Sequence, residues 1–266
     1  MKKVAIIGCG WVGQALAQHM VSQGLQVIGT GRTPQRLEEI NATGAEAQLF
    51  ELPSETNDIP TWLNGCDAVI IAITPQFKSG NTDYPKRVKQ AAMLAQQAQV
   101  NQLVLLSSTG VYQGLDGTVN EEADIDISQV KTALLAEAEQ SVLSLQGTVL
   151  RLAGLIGPKR HPSRFMQGKE NLADAETPTN LVHQADVVSA ITFVLEEGSP
   201  SSIYNVVSST HPTRKTFYQL ACQSQQAPVP QFGSAQSPQR RVVSNAKLIS
   251  LGWQPMHPDL LAWLSE

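Results

Sequence analysis

Residues 4–7 read Val-Ala-Ile-Ile and run without a break into Gly8-Cys9-Gly10-Trp11-Val12-Gly13. A short β-branched apolar run ending in G-x-G-x-x-G admits few folds: it describes a buried parallel strand, a tight turn and the opening of a helix. The loop alone is weak evidence, so its surroundings must carry it. Here they agree. Val12, Ala15, Leu16 and Met20 recur at helical spacing, Gly24 offers a stop, and residues 25–28 make a second apolar strand. The strand–helix–strand unit takes about 30 residues, as such a crossover needs. A diphosphate is expected on the amides that open the helix, where unpaired N–H groups and the helix dipole favour negative charge. Gly8 serves the tight turn, Gly10 the close approach of the diphosphate and Gly13 the packing of helix on strand. Trp11 and Val12 join them as cofactor-binding candidates. The alternative is a glycine-rich turn that holds no ligand.

The end of the second strand bears on which dinucleotide is bound. A site for NAD usually places Asp or Glu there, on the ribose 2′-hydroxyl. This chain has no carboxylate between residues 1 and 37, and the strand runs into Thr30-Gly31-Arg32-Thr33. A guanidinium suits a 2′-phosphate, which it can bind through two parallel charge-assisted hydrogen bonds. NADP is therefore expected ahead of NAD, with Arg32 as its ligand; a solvated loop arginine is the alternative.

Composition narrows the class. The chain has 266 residues, a net charge of −4 and 42% apolar residues, enough for a substantial core and too little positive charge for polyanion binding. Three cysteines, Cys9, Cys66 and Cys222, are odd in number and far apart, so neither a disulfide framework nor a metal site is indicated. The apolar run near the start is too short for a secretion signal, and none approaches the ~20 residues of a membrane span. A cytoplasmic protein is expected, with a small-molecule substrate and no nucleic-acid or membrane partner.

Strands and helices alternate along the chain. Strands are expected at 45–52, 67–74, 102–106, 147–152 and 202–206, and helices at 34–40, 82–99, 129–145, 184–196 and 213–225. Short helices follow at 244–250 and 259–264, and residues 153–178 and 227–239 read as irregular. This order implies an α/β fold, a Rossmann-type doubly wound parallel sheet with a small discontinuous C-terminal substrate lobe. The dinucleotide domain is placed at 1–153 and 181–207, the lobe at 154–180 and 208–266.

Several segments resemble the extended short-chain dehydrogenase/reductases of the NAD-dependent epimerase/dehydratase type. Leu105-Leu106-Ser107-Ser108-Thr109-Gly110-Val111-Tyr112 resembles the family's S-S-x-x-V-Y, and Arg151 followed by 154–158 its R-x-x-x-x-x-G-P. Residues 180–187, with His183 and Asp186, resemble its hydrophobic-H-x-x-D-V, and 203–206 its Y-N-V. These markers span nearly the whole chain in order; GCGWVG and RLAGLIGPKRHPSRF look most like the atypical YeeZ-like subgroup. One departure is central. Where the family has Y-x-x-x-K, this chain reads Ile127-Ser128-Gln129-Val130-Lys131, and no tyrosine lies between Tyr112 and Tyr204. In the family that phenol shuttles the proton accompanying hydride transfer; an isoleucine cannot.

The resemblance implies that Ser108 hydrogen-bonds a substrate oxygen and that Lys131 contacts the nicotinamide ribose. A backbone-satisfying serine and a solvated lysine are the alternatives. Tyr84 is the remaining candidate proton donor, and Tyr112 reads as packing. Ile73, Thr74, Ser107, Gly154 and Leu155 are expected beside the dinucleotide. Thr109, His161, Arg164 and His183 are expected near the substrate, where a basic cluster could receive an anionic one. His183 has a second reading, as the residue that fixes a helix start. No metal ligand is assigned, and a homodimer through the two long helices at 82–99 and 129–145 is the family's habit. An oxidoreductase on a sugar-like or nucleotide-linked substrate is expected; the rival is a dinucleotide sensor or scaffold that has lost turnover.

Overall fold

A computed structural model describes residues 1–56, 58–234 and 240–265. In chain order the elements are β1 Lys3–Ile7, α1 Trp11–Ser22, β2 Gln26–Gly31, α2 Pro34–Asn41, β3 Glu46–Leu49, β4 Ala68–Ile71, α3 Tyr84–Gln97 and β5 Gln102–Ser108. There follow β6 Thr118–Val119, α4 Val130–Leu143, β7 Thr148–Leu152, β8 Gly154–Ile156, α5 Ser163–Met166, β9 Leu181–His183 and α6 Gln184–Glu197. The last are β10 Ile203–Val206, α7 Arg214–Ser224, β11 Val242–Val243, α8 Ala246–Ser250 and α9 Leu260–Trp263.

A seven-stranded sheet in the order β10-β7-β5-β4-β1-β2-β3 organises the fold. β1 pairs in parallel with both β2 and β4, β2 with β3, and β4 with β5. This is the Rossmann α/β fold, and the burial pattern explains it. Four of the five residues of β1 and all four of β4 are buried, as strands covered on both faces require. The register sets Ile6 beside Gly29 and Ile70, so the strand ends that carry the glycine loop, Arg32 and Ile73 lie side by side. Local chemistry fixes the helix starts: the Thr33 hydroxyl accepts from the Arg36 N–H, with Pro34 following, which opens α2 directly after β2.

The chain forms two compact units. The first holds Met1–Val111, Ile127–Arg151 and Ile191–Ile203; the second holds Tyr112–Asp126, Leu152–Ala190 and Tyr204–Glu266. This differs from the division expected above, because 112–126, 152–153, 181–190 and 204–207 fall in the second unit. Ladder partners give the reason for two of these segments: β6 pairs with β11 and β9 with β8, which ties 118–119 and 181–183 to the second unit by backbone hydrogen bonds. Residues 153–178 are not wholly irregular either, since β8 and α5 lie within them. β3 stops at Leu49, short of the strand expected to reach 52. Within the second unit, Ile156, Leu181, Phe217, Ala221, Leu260 and Leu264 share a small core. Residues 235–239 of the expected 227–239 loop lie outside the described residues. No helix among the described residues is long and apolar enough to cross a membrane.

Candidate dinucleotide site

The glycine loop is built around β2. Gly8 has φ +87° and donates its N–H to the Thr30 hydroxyl at 2.9 Å, while the Cys9 N–H reaches the Thr30 carbonyl at 2.8 Å. A Cβ on Gly8 would stand 2.8 Å from an Ile73 methyl and 2.9 Å from the Ile73 nitrogen, so only glycine fits that crossing of β1 and β4. A Cβ on Gly13 would meet Ile6 at 3.2 Å and Cys9 Sγ at 3.3 Å, which is the helix–strand contact expected of it. Gly10 differs. Its Cβ would meet nothing nearer than the Gly8 carbonyl at 3.9 Å, so no protein atom demands a glycine there. Gly10 is the N-cap of α1 and supplies no side-chain cap, so the N–H groups of Val12 and Gly13 point out of the helix end. An anion arriving at that end is the partner these features suit.

The loop opens onto a cavity of about 360 Å³ within the first unit, lined among others by Gly8, Gly10, Thr30, Arg32, Ile73 and Thr74. Arg36, Arg87, Phe50 and Leu52 line it too and were not foreseen. Arg36 could have been: it follows Arg32 by four residues in the first turn of α2. Arg87 gave no signal, because α3 brings it to the cavity from far beyond β2 in the chain. Among the described residues no carboxylate lines this cavity, whereas three guanidiniums do. Cys9, in the loop itself, is buried, and burial pushes its thiol up to about 12 against the pull of Arg36, so it stays neutral and unreactive.

Ser108 ends β5, and its hydroxyl accepts the Gly110 N–H at 3.0 Å, which leaves its own proton for another acceptor. A Cβ on Gly110 would stand 3.2 Å from Ser108 Oγ and 3.8 Å from Lys131 Cε, so the serine and lysine flank one small space in the first unit. Lys131 sits in the first turn of α4, against the helix dipole. Ile127 is 66% exposed. Beneath Ser108 lies a pair absent from the expectations: Glu139 and Arg151, each 2% exposed, joined at 2.7 Å. Ser107 donates its hydroxyl to Glu139 at 2.6 Å.

Three expectations are corrected here. Ser107 is 6% exposed and its hydroxyl is committed to Glu139, so its side chain does not serve a dinucleotide. Tyr84 is not a proton donor at a ligand site: it is wholly buried in the packing of α3, its hydroxyl has no partner, and burial, aided by the Glu139 charge, holds that phenol well above its usual range. His183 is 7% exposed and is structural rather than substrate-binding. Its Nδ1 accepts the Ala185 N–H at 3.2 Å at the start of α6, and its ring lies 4.2 Å from His257 and 5.0 Å from Trp263. Burial, with His257 adding, pushes it down to about 4.

The second unit holds the remaining candidates. Gly154 and Leu155 form β8. His161 Nδ1 meets Ser163 Oγ at 2.8 Å, and Arg164 is exposed on α5. Thr109, in the first unit, is 7% exposed and offers little surface. Tyr112 is packing, its hydroxyl donating to Asn205 Oδ1 at 2.8 Å.

A family model described as NAD(P)H-binding matches residues 8–197, the span that begins on the first glycine of the loop. The chain belongs to this NAD(P)H-binding family. Protein YeeZ of Escherichia coli (strain K12) is 34% identical to this chain, over 98% of both chains. A solved protein of unknown function from Silicibacter pomeroyi DSS superposes with a TM-score of 0.82 at 24% identity, covering 100% of this chain and 97% of its own. UDP-glucuronic acid 4-epimerase from Bacillus cereus, solved in complex with NAD, superposes with a TM-score of 0.79 at 15% identity, covering 98% and 96%. The chain thus shares its fold with that epimerase and carries an NAD(P)H-binding domain.

Proposed function

We propose that this protein is an NADP-linked oxidoreductase of the epimerase/dehydratase type, acting on a hydroxyl or carbonyl of a small, sugar-like or nucleotide-linked substrate. The observation that carries it is the lining of the first unit's cavity: a glycine loop with an uncapped helix end, three arginines and no carboxylate among the described residues. Gly8, Gly10 and the α1 amides would hold the diphosphate, with Arg32 on the 2′-phosphate and Ile73 and Thr74 along the groove. Arg36 adds a second cation beside Arg32. When bound, the nicotinamide supplies or accepts a hydride.

The rest falls to the chain's own residues. Ser108 donates its hydroxyl hydrogen bond to the substrate oxygen, since its acceptor side is already taken by Gly110. The Lys131 ammonium, flanking the same space, stabilises negative charge on that oxygen and hydrogen-bonds the ribose. Ile127 neither donates nor accepts a proton, so the proton comes from water. Arg164, exposed on α5, is a candidate for binding an anionic group. The epimerase that shares this fold acts, by its name, on a UDP-linked sugar acid, which makes sugar nucleotides the first probes to try.

A rival reading, a dinucleotide sensor without turnover, is favoured by two observations: Ile127 in place of tyrosine, and the burial of Tyr84. NADPH absorbance, followed with sugar nucleotides, aldehydes and ketones, separates the two; robust oxidation eliminates the sensor. Titration calorimetry tests the cofactor. NADPH should bind more tightly than NADH, and Arg32→Asp should reverse that order by removing a charged contact worth about 1.5–3 kcal/mol. Equal selectivity in the variant would remove the reason for naming NADP.

A further inference from the structure

Three arginines face the dinucleotide cavity, and each has a carboxylate partner that does not line it: Arg36 with Glu39, Arg87 with Asp83 and Arg32 with Glu51. The three pairs are not alike. Glu39 meets Arg36 at 2.5 Å and is further held by Gln14 Nε2 at 3.0 Å. Asp83 meets Arg87 Nε at 2.7 Å, and the Arg87 side chain is only 6% exposed. Glu51 stands 3.7 Å from Arg32, with side chains 70% and 52% exposed. That separation is beyond hydrogen-bond length, and an ion pair so open to water is weak.

Arg32 and Arg87 both line the dinucleotide cavity and a neighbouring polar cavity of about 570 Å³, and Glu51 and Asp83 line only the second, so distance and burial are what set the Arg32 pair apart. The Arg32 guanidinium therefore has an acceptor on each side: Glu51 on one, and whatever anion enters the groove on the other. A phosphate that offers short, paired, charge-assisted hydrogen bonds outcompetes a carboxylate at 3.7 Å. Glu51, already solvated, is released at little cost, whereas Arg36 and Arg87 stay fixed by their shorter pairs.

We propose that Glu51 is the displaceable counter-ion of Arg32 and so sets how strongly the groove selects a 2′-phosphorylated dinucleotide. This rests on Arg32 being the 2′-phosphate ligand. Glu51 weakens the phosphate's hold twice, by sharing Arg32 and by its own charge, and leaves a 2′-hydroxyl ligand unaffected.

Calorimetry with 2′,5′-ADP and 5′-ADP tests it on the intact protein, on Glu51→Gln and on Arg32→Leu, without any substrate. Glu51→Gln should tighten 2′,5′-ADP about two- to fivefold, the range of an exposed ion pair, and leave 5′-ADP unchanged. The gain should shrink as salt is raised. Unchanged or weaker 2′,5′-ADP binding in Glu51→Gln, or an equal change for both ligands, overturns the role of Glu51 alone, provided Arg32→Leu abolishes the preference for 2′,5′-ADP. If the intact protein shows no such preference and Arg32→Leu changes neither ligand, the assignment of Arg32 falls, and Glu51 with it.

Discussion

Two glycines in one loop do different work, and substitution should separate them. Gly8 is required by the protein, since its φ of +87° and the Ile73 nitrogen 2.9 Å from a would-be Cβ leave no room for a side chain. Gly10 is crowded by nothing in the chain. Gly8→Ala should therefore lower the unfolding free energy by about 1–3 kcal/mol, the cost of a strained backbone with a clash. Gly10→Ala should melt within a degree or two of the parent (about 0.5 kcal/mol, a surface-like effect) yet bind NADPH at least tenfold more weakly. Thermal denaturation and calorimetry read the two effects; a Gly10→Ala variant with full affinity would show that no diphosphate approaches there. The place of both glycines in the loop was legible in the sequence because glycine spacing is local. So was the place of Arg32 on the cavity, one residue past an apolar strand. Arg87 and the Glu139–Arg151 pair were not, because partners far apart in the chain leave no spacing to read. Tyr84 misled for the same reason: its place at the head of a helix says nothing of what packs over it.

At the scale of elements, strands of four residues or more were legible from their apolar runs, and β6, β8, β9 and β11 were not. Strands of two or three residues are too short to show a period, and their pairing is decided by the chain they meet. One such pairing has a consequence for pH. β9 ends on His183, whose ring packs against His257 and Trp263, while the Asp186 carboxylate accepts the N–H groups of Met256 and His257. These contacts bind the C-terminal segment to the second unit. His183 is held at about 4, below its ordinary 6.5, so on acidification the unfolded chain takes up the proton first. Its contribution is complete above pH 6.5 and is lost as the pH falls toward 4, at most about 3 kcal/mol. His161 and His211, both lowered mainly by burial, act in the same direction. Asp186, raised by burial, opposes them below neutrality. Urea midpoints at pH 7.5 and 4.5 should therefore converge in His183→Phe relative to the parent, with Trp263 fluorescence following the segment. An equal pH dependence in both proteins would rule His183 out as the sensitive group.

For the molecule as a whole, the sequence order of the two units matters more than their size. The chain passes between them five times, at 111/112, 126/127, 151/152, 190/191 and 203/204. Four of these passages fall inside helical or strand elements: 111/112 in a 3-10 turn over Thr109–Tyr112, 151/152 in β7, 190/191 in α6 and 203/204 in β10. A flexible linker joining independent domains would put the passage in an exposed loop instead. Within α6 the i→i−4 hydrogen bonds run through residues assigned to both units. A single cooperative transition is expected, although the chain is longer than most two-state domains. The dinucleotide cavity, lined wholly by the first unit, makes that testable. A ligand at a hundred times its Kd stabilises every amide that exchanges through global opening by about 2.7 kcal/mol. With NADPH present, amides of α7 in the second unit should gain the same protection as those of α1 in the first, although α7 contributes no residue to the cavity. Hydrogen exchange by mass spectrometry reads both helices in one experiment. Protection gained by α1 and not by α7 would mean that the second unit opens on its own, and that the passages through β7, α6 and β10 do not couple the two.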